Sequence, residues 1–169
     1  FAGADYLKIQ TYIPEKVVLK NIDFAPYQKK NSNKNQNLYN LLKKYQISHK
    51  DHFKIKRYCE KLKIKFISSP FDNESAKFLC KKLKLKIIKI PSGEITNYPL
   101  LKYLSQFSVK IILSTGLSNM AEINDAIKIL KVKKSNLTLL HCNTAYPTPI
   151  NDVNMLAMLE MKKKFNCAV

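Results

Sequence analysis

A repeated strand-and-helix pattern that begins near Ser48 constrains the fold of this chain most strongly. In each repeat an amphipathic run opens at a capping residue, closes in lysines, and leads into a short apolar strand. The predicted helices span about residues 48–62, 72–83, 119–130 and 152–165, with another that starts at Asn97. The predicted strands are residues 7–10, 65–68, 87–90, 110–114 and 137–142, and a further strand is starting where the sequence reaches Val169.

Strands that alternate with helices predict a parallel sheet, either closed as a barrel or open and doubly wound. No glycine-rich dinucleotide loop follows a predicted strand, which argues against a nucleotide-binding open sheet. We therefore predict an α/β fold: a (β/α)8 TIM barrel present only in part, about strands 2 to 6 and the start of strand 7, as one domain over residues 1–169. The polar stretch 29–37 lies in a long connection, and we expect either an active-site lid or a plain insertion.

The formal net charge of +18 raises nucleic acid as a partner. Arg57 is the only arginine, however, and the lysines cluster where predicted helices give way to strands, which favours a solvated surface. No window approaches the roughly 20 apolar residues of a membrane span. Four cysteines without CxxC spacing and three histidines indicate no zinc site, and free thiols fit a cytoplasmic protein. His49 and His52 are interpreted as a surface pair at a helix start.

The predicted strand ends are polar, and in a βα barrel these ends form the catalytic face. Alternation along the first strand places Lys8 and Gln10 on one face, and Lys89 on a later strand points the same way. Two inward lysines predict an anion site, because a buried ammonium without a counter-charge is costly. Hydroxyl groups and glycines are expected around these lysines; they are Ser68, Ser69, Ser92, Ser114, Thr115, Gly93 and Gly116.

Glu94 is the carboxylate of this strand-end group, and it predicts a proton shuttle or, alternatively, a salt-bridge partner of Lys89. The last predicted strand leads into a loop that contains Tyr146. Pro147 and Pro149 restrict that loop, so we expect Tyr146 to be held over the rim of the site.

Five strand-end motifs together resemble those of the bacterial N-acetylneuraminate synthases, a family that includes legionaminate-type synthases. Residues 25–31 also resemble the long second loop of that family. The motifs are Lys8-Ile-Gln10-Thr11, Ser68-Ser69-Pro70-Phe71-Asp72, Lys89-Ile-Pro-Ser92-Gly93-Glu94, Ser114-Thr115-Gly116 and Tyr146-Pro147-Thr148-Pro149. They follow the family's order over essentially the whole chain.

The resemblance implies two substrate sites and the groups that act in them. It assigns catalysis to Glu94, Lys89 and Tyr146, and an amino-sugar site to Gln10, Glu94 and Tyr146. Ser69 stands where the family usually has Thr, and Thr144 where some members have an Asn phosphate ligand. The implied phosphoenolpyruvate site is formed by Lys8, Ser69, Lys89, Ser92, Ser114, Thr144 and Tyr146.

The implied reaction condenses phosphoenolpyruvate with N-acetylmannosamine or a related N-acylated hexosamine, and water releases phosphate. Mn²⁺ or Mg²⁺ would polarise the sugar aldehyde. By the resemblance, the metal ligands, the first strand and a C-terminal antifreeze-like domain lie outside these residues, so the chain is expected to be inactive alone and the full-length form to be a homodimer. A Schiff-base aldolase and a lysine-rich nucleic-acid-binding module are the alternatives. The residues do not identify the sugar.

Overall fold

The computed structural model describes residues 3–22 and 37–169. Both the segment that resembles the family's second loop and nearly all of the stretch 29–37 lie outside these residues. The strands are β1 Tyr6–Thr11, β2 Lys65–Pro70, β3 Ile87–Ile90, β4 Lys110–Ser114 and β5 Leu137–Leu140. The α-helices are α1 Pro14–Val17, α2 Leu38–Tyr45, α3 His49–Lys61, α4 Asn73–Lys77, α5 Tyr98–Leu104, α6 Met120–Leu130 and α7 Ala157–Phe165.

Polar side chains cap the helices at the positions that the sequence predicted. Each of these side chains accepts a hydrogen bond from a backbone N–H of the first helical turn, which would otherwise have no partner. At α6, Asn119 and Glu122 form a complete capping box. The four predicted capping residues are Ser48 for α3, Asp72 for α4, Asn97 for α5 and Asn119 for α6.

The five strands form one parallel sheet in the order β1-β2-β3-β4-β5. Each strand lies beside its neighbour in the chain, so the described strands show no reversal of order such as a doubly wound sheet requires. Beyond β5, Ala168 forms a parallel bridge with Thr138, and the Leu139 N–H donates to the Ala168 carbonyl at 2.9 Å. This confirms the predicted strand start at the C-terminal end of the chain.

Several predicted boundaries were wrong. Strand β5 ends at Leu140 and not at Cys142. The last helix begins at Ala157, because a short 3-10 turn over Ile150–Asp152 comes first. The helix after Asp72 continues as a π-helical turn over Phe78–Lys82, where the Leu83 N–H donates to the Phe78 carbonyl five residues back. Helix α2 was not predicted.

The hydrophobic core lies between the helices and one face of the sheet. Alternate strand residues such as Ile88, Ile90, Leu113 and Leu139 are fully buried there. The lysine clusters lie at the turns that lead from helices into strands, as the sequence predicted. No helix in the described ranges combines the length and apolar character that a bilayer crossing requires.

Candidate active site

The sheet face opposite the hydrophobic core carries the polar residues that the sequence singled out. Gln10 pairs with Ser69 across β1 and β2, while Ser68 pairs with Ile88 across β2 and β3. Paired residues point to the same face and successive residues alternate. The register therefore places the following residues on one face, away from buried Ile88: Lys8, Gln10, Ser69, Lys89 and Ser114.

Two serine hydroxyls on this face are buried and have no hydrogen-bond partner. Ser69 and Ser114 are each 1% exposed, and within the described part of the chain their Oγ atoms are the buried side-chain polar atoms that lack a partner. An unsatisfied buried hydroxyl costs about 1–3 kcal/mol. Because both hydroxyls share a face with two lysines, they are suited to donate hydrogen bonds to an anionic ligand.

The two lysines of this face affect each other. Lys89 is half-buried, and burial lowers the pKa of its ammonium group below the ordinary lysine value. The nearby ammonium of Lys8 lowers the pKa of Lys89 further, whereas Cys142 acts in the opposite sense. The resulting like-charge repulsion would be relieved by a bound anion, which is what an anion site requires.

Ser92 and Gly116 join the loops that follow β3 and β4. The Gly116 N–H donates to the Ser92 Oγ at 3.0 Å. A Cβ atom at Gly116 would lie 2.9 Å from that Oγ and 3.0 Å from the Thr144 Cγ2 atom. Gly116 is one of the glycines expected around the lysines, but its N–H already has a protein partner and does not point to a ligand. Ser92 keeps its own hydroxyl proton for donation to another group.

Glu94 lies at the C-terminal end of the 3-10 turn Ser92–Glu94. Its Oε2 accepts a hydrogen bond of 2.6 Å from the Asn97 amide. Burial raises the pKa of Glu94, Asn97 opposes this effect, and the Asp72 carboxylate adds to the rise. Both Glu94 and Lys89 lie in the described part of the chain, and no salt bridge joins them. Glu94 is thus a carboxyl group with enhanced proton affinity, which suits a proton shuttle.

The loop after β5 brings Thr144 to the site but leaves Tyr146 at the surface. Thr144 packs against Gly116, as its Cγ2 distance shows. The Tyr146 side chain is 76% exposed. Its hydroxyl bonds to no other residue in the described ranges, so the structure does not support the expectation that proline restriction holds this ring over the rim.

Other hydroxyls that the sequence grouped with the site face the helices instead. Thr115 Oγ1 donates to the Leu140 carbonyl at 2.9 Å, and Ser68 Oγ lies 2.7 Å from Thr11 Oγ1. The interpretation of His52 as a surface residue was also wrong: it is fully buried and bonds to Thr11. Only exposed His49 lies at the surface. Sequence alone gave no signal for these contacts, since the partners are 41 and 57 residues apart.

A protein metal centre needs several His, Cys, Asp or Glu side chains close together. In residues 3–22 and 37–169, no three His, Cys, Asp or Glu side chains lie close enough together to hold a metal ion. Glu94 and Asp72 alone do not complete such a set.

Comparison with known proteins identifies the family. The chain is 41% identical over 171 residues to the N,N'-diacetyllegionaminic acid synthase of Campylobacter jejuni, covering 99% of this chain and 51% of that protein. For the Legionella pneumophila enzyme of the same name the identity is 37%, covering 99% and 48%. The chain thus spans about half the length of these curated relatives.

A solved structure agrees with the sequence relatives. The N-acetylneuraminic acid synthetase of Leptospira borgpetersenii, crystallised in complex with citrate, superposes with a TM-score of 0.80 at 30% identity, covering 97% of this chain and 52% of that one. The profile of the NeuB family matches residues 1–169. The chain belongs to the NeuB family.

Proposed function

We propose that this chain forms the phosphoenolpyruvate-binding part of a synthase that makes a sialic-acid-type nonulosonate. The proposal depends most on one observation: two buried serine hydroxyls without partners, Ser69 and Ser114, share a sheet face with Lys8 and Lys89. The names of the relatives, which are legionaminic and pseudaminic acid synthases, support the same reading.

We further propose that the sheet is an arc of a (β/α)8 barrel and that residues 1–169 form one partial domain. Sequential addition of parallel strands on one side builds a barrel, and the bridge at Ala168 continues that series. The polar face would then line the barrel interior at the carboxyl ends of the strands. On this view the helix-to-strand turns with their lysine clusters lie at the opposite end, away from the site.

In this site the anion is held mainly by charge and by hydroxyl donors. The ammonium groups of Lys8 and Lys89 neutralise the phosphate and carboxylate of phosphoenolpyruvate, and Ser69 and Ser114 donate their free protons. Ser92 donates its hydroxyl proton while its oxygen holds Gly116 in place. Thr144 and Tyr146 would close the anion site from the loop after β5.

The amino sugar would lie against Gln10, Glu94 and Tyr146, beside the anion site. In the reaction, C3 of phosphoenolpyruvate bonds to the aldehyde carbon of the open-chain sugar, water adds at C2, and phosphate leaves. The aldehyde oxygen gains a proton as it becomes a hydroxyl, and the added water loses protons. Glu94, whose pKa is raised by burial, is placed to carry such a proton between donor and acceptor.

Dependence on Mn²⁺ or Mg²⁺ and a homodimeric full-length form remain predictions from the family resemblance. Chelator treatment followed by readdition of each ion tests the first, and the molar mass of the full-length protein in solution tests the second. The identity of the sugar is an independent question. We expect an N-acylated hexosamine, either N-acetylmannosamine or one of its diacetylated relatives.

The test is phosphate release by the full-length protein that contains this chain. Phosphoenolpyruvate is supplied with each candidate sugar in turn, and one sugar should support release while omission of any sugar abolishes it. Glu94→Gln should lower the rate by about 100-fold or more, since proton transfer by a positioned group contributes that much. Near-normal turnover in Glu94→Gln would remove Glu94 from the mechanism.

An experiment on the full-length protein also distinguishes a Schiff-base aldolase from a synthase. The lowered pKa of Lys89 favours the neutral amine that an aldolase needs. A Schiff-base aldolase would be trapped covalently by borohydride in the presence of pyruvate. The synthase should form no such adduct even with pyruvate, because it uses the charged ammonium of Lys89 to hold an anion and not as an amine that attacks a ketone. A pyruvate adduct at Lys89 without phosphate release would replace the proposed function.

A further inference from the structure

A buried network of hydrogen bonds lies behind the candidate site, on the helix side of β1 and β2. His52 of α3 is 0% exposed. Its Nε2 lies 2.8 Å from Thr11 Oγ1, which lies 2.7 Å from Ser68 Oγ. Its Nδ1 lies 2.8 Å from the Ser48 carbonyl oxygen. These hydrogen bonds therefore connect helix α3 to the carboxyl ends of strands β1 and β2.

The Ser48 end of this network determines the direction of the hydrogen bonds made by His52. The Ser48 carbonyl can only accept, so Nδ1 of His52 carries the proton and Nε2 of the neutral ring is an acceptor. Thr11 must then donate to His52, so the single proton of Ser68 is shared between Thr11 Oγ1 at 2.7 Å and the Ile9 carbonyl oxygen at 3.1 Å. Burial lowers the pKa of His52, which favours this neutral ring. The three side chains form one ordered network.

The network fixes the backbone from which two candidate ligand-binding residues project. Gln10 precedes Thr11, and Ser69 follows Ser68; these two neighbours pair across β1 and β2. Their side chains point to the polar face, while those of Thr11 and Ser68 point to the helices. A shift of Thr11 or Ser68 would therefore move Gln10 and Ser69 within the site.

We propose that His52 is a positioning residue of the anion site, acting through Thr11 and Ser68 on the strand ends that carry Gln10 and Ser69. The inference rests on the proposed function insofar as the anion is phosphoenolpyruvate. The network lies on the helix side of the sheet, opposite the polar face, so His52 is not proposed as a catalytic residue. Its contribution is the placement of Ser69 Oγ, a buried donor that has no partner among residues 3–22 and 37–169.

Two substitutions separate the contacts of His52. In His52→Asn, the amide occupies the position of Nδ1, so the bond to the Ser48 carbonyl is retained and the contact with Thr11 is lost. In His52→Gln, the longer amide reaches the position of Nε2, so the contact with Thr11 is retained and the bond to Ser48 is lost. Exposed His49 lies in the same helical turn, and His49→Gln is the matched control.

The measurement is the Kd for phosphoenolpyruvate of the full-length protein by calorimetry, with a thermal melt of each variant. We expect His52→Asn to weaken binding about fivefold to tenfold, as for the loss of one buried hydrogen bond. His52→Gln and His49→Gln should stay within about twofold of the unsubstituted protein. The Kd should depend on whether the variant keeps the contact with Thr11, and not on its melting temperature. A purely structural role of His52 would instead make the Kd change together with the melting temperature.

If His52→Asn does not fold, Thr11→Val gives the same test, since it removes the central hydroxyl and keeps the bond between His52 and Ser48. Equal Kd values for the Asn and Gln variants, or an unchanged Kd in Thr11→Val, would overturn the proposal. The proposed function fails separately, when the unsubstituted protein binds phosphoenolpyruvate but releases no phosphate with any sugar. A protein that binds no phosphoenolpyruvate would overturn both.

Discussion

At the scale of single residues, Lys89 combines a cost to stability with a use in binding. Its ammonium is half-buried beside that of Lys8, so both burial and repulsion lower the pKa of Lys89. The charged native state is therefore destabilised at neutral pH, and this penalty disappears only as the pH rises above the unfolded-state value near 10.5. Removal of the charge should stabilise the protein and weaken the site.

We predict that Lys89→Met raises the melting temperature at pH 7 by about 2 °C and lowers kcat/KM for phosphoenolpyruvate by about 30-fold to 100-fold. Thermal melts and phosphate release by the full-length protein measure the two effects. Lys86→Met is the control, because Lys86 is exposed at the other end of β3 and should change neither value much. A melting temperature that falls in Lys89→Met would show that the ammonium has a partner.

His52 gives stability a dependence on pH. Burial lowers its pKa in the folded state below the unfolded-state value of about 6.5. Between these two values the unfolded chain binds more protons, so stability is lost as the pH falls below about 6.5. We predict that thermal melts between pH 7 and pH 5 fall more steeply for the unsubstituted chain than for His52→Gln. His49→Gln should keep the steeper dependence, and equal slopes for all three would contradict the prediction.

Residues on the polar face were easier to predict than those behind it. Alternation alone fixes the side of the sheet on which Lys8, Gln10 and Lys89 lie. The burial of His52 depends instead on Thr11, which is 41 residues away and reaches it only after the helix packs on the sheet. The hydrogen bond of the Gly116 N–H is equally hard to predict from the sequence, because its partner Ser92 belongs to another loop. Local pattern carries no information on such partners.

At the scale of the elements, the turns from helix to strand contain left-handed residues that are not glycine. Three of them are lysines with positive φ: Lys63, Lys84 and Lys131. Glycine is the usual residue at such a position, since a Cβ atom costs about 1–2 kcal/mol there. The fold thus tolerates strain at the end of several helices.

We predict that Lys131→Gly stabilises the protein by about 0.5 kcal/mol. Relief of the left-handed strain at φ +50° exceeds the extra entropy that glycine gives the unfolded chain. Urea unfolding of the purified chain measures the change. Lys128→Gly, inside α6, should instead destabilise by about 1 kcal/mol. Destabilisation by both substitutions would mean that the Lys131 side chain makes contacts that outweigh the strain.

The contact between the β3 and β4 loops leaves little room for a side chain at Gly116. Gly116→Ala would place its Cβ atom 2.9 Å from Ser92 Oγ and 3.3 Å from the Cys142 carbonyl oxygen, so at least one loop must move. We expect a loss of about 1–3 kcal/mol by urea unfolding. Gly93→Ala is the matched control, since a Cβ atom there meets nothing within 4 Å, and its effect should be below about 0.5 kcal/mol.

Elements were predicted well where the signal is local. Caps such as Asn119 with Glu122 fix helix starts from a four-residue pattern. Boundaries failed where packing decides them. The 3-10 turn Ile150–Asp152 and the π-helical turn after Lys77 are cases in which the chain departs from the regular period. Phe78, which begins that π turn, stacks on His49 at 3.7 Å, a contact that periodicity does not encode.

Across the molecule, one face of the sheet is buried under helices and the other is partly exposed to solvent. The helix side is closed by a dense core that includes Leu79, Ile88 and Leu101. The polar side is open at β1, where Lys8 and Gln10 are exposed. The described residues therefore combine a packed hydrophobic layer with a polar face that is open at one edge. This asymmetry fits the chain's coverage of about half of each of the two legionaminic acid synthases described above.

The open polar face predicts that these 169 residues alone do not turn over. An ion pair at about 4 Å is worth about 1 kcal/mol in water and about 4 kcal/mol near a protein surface of lower dielectric. An anion beside exposed Lys8 is thus held weakly until further protein encloses it. Phosphate release by the isolated chain should stay at background while the full-length protein releases phosphate at equal concentration. Sustained release by the isolated chain would show that the described residues already form the whole active site.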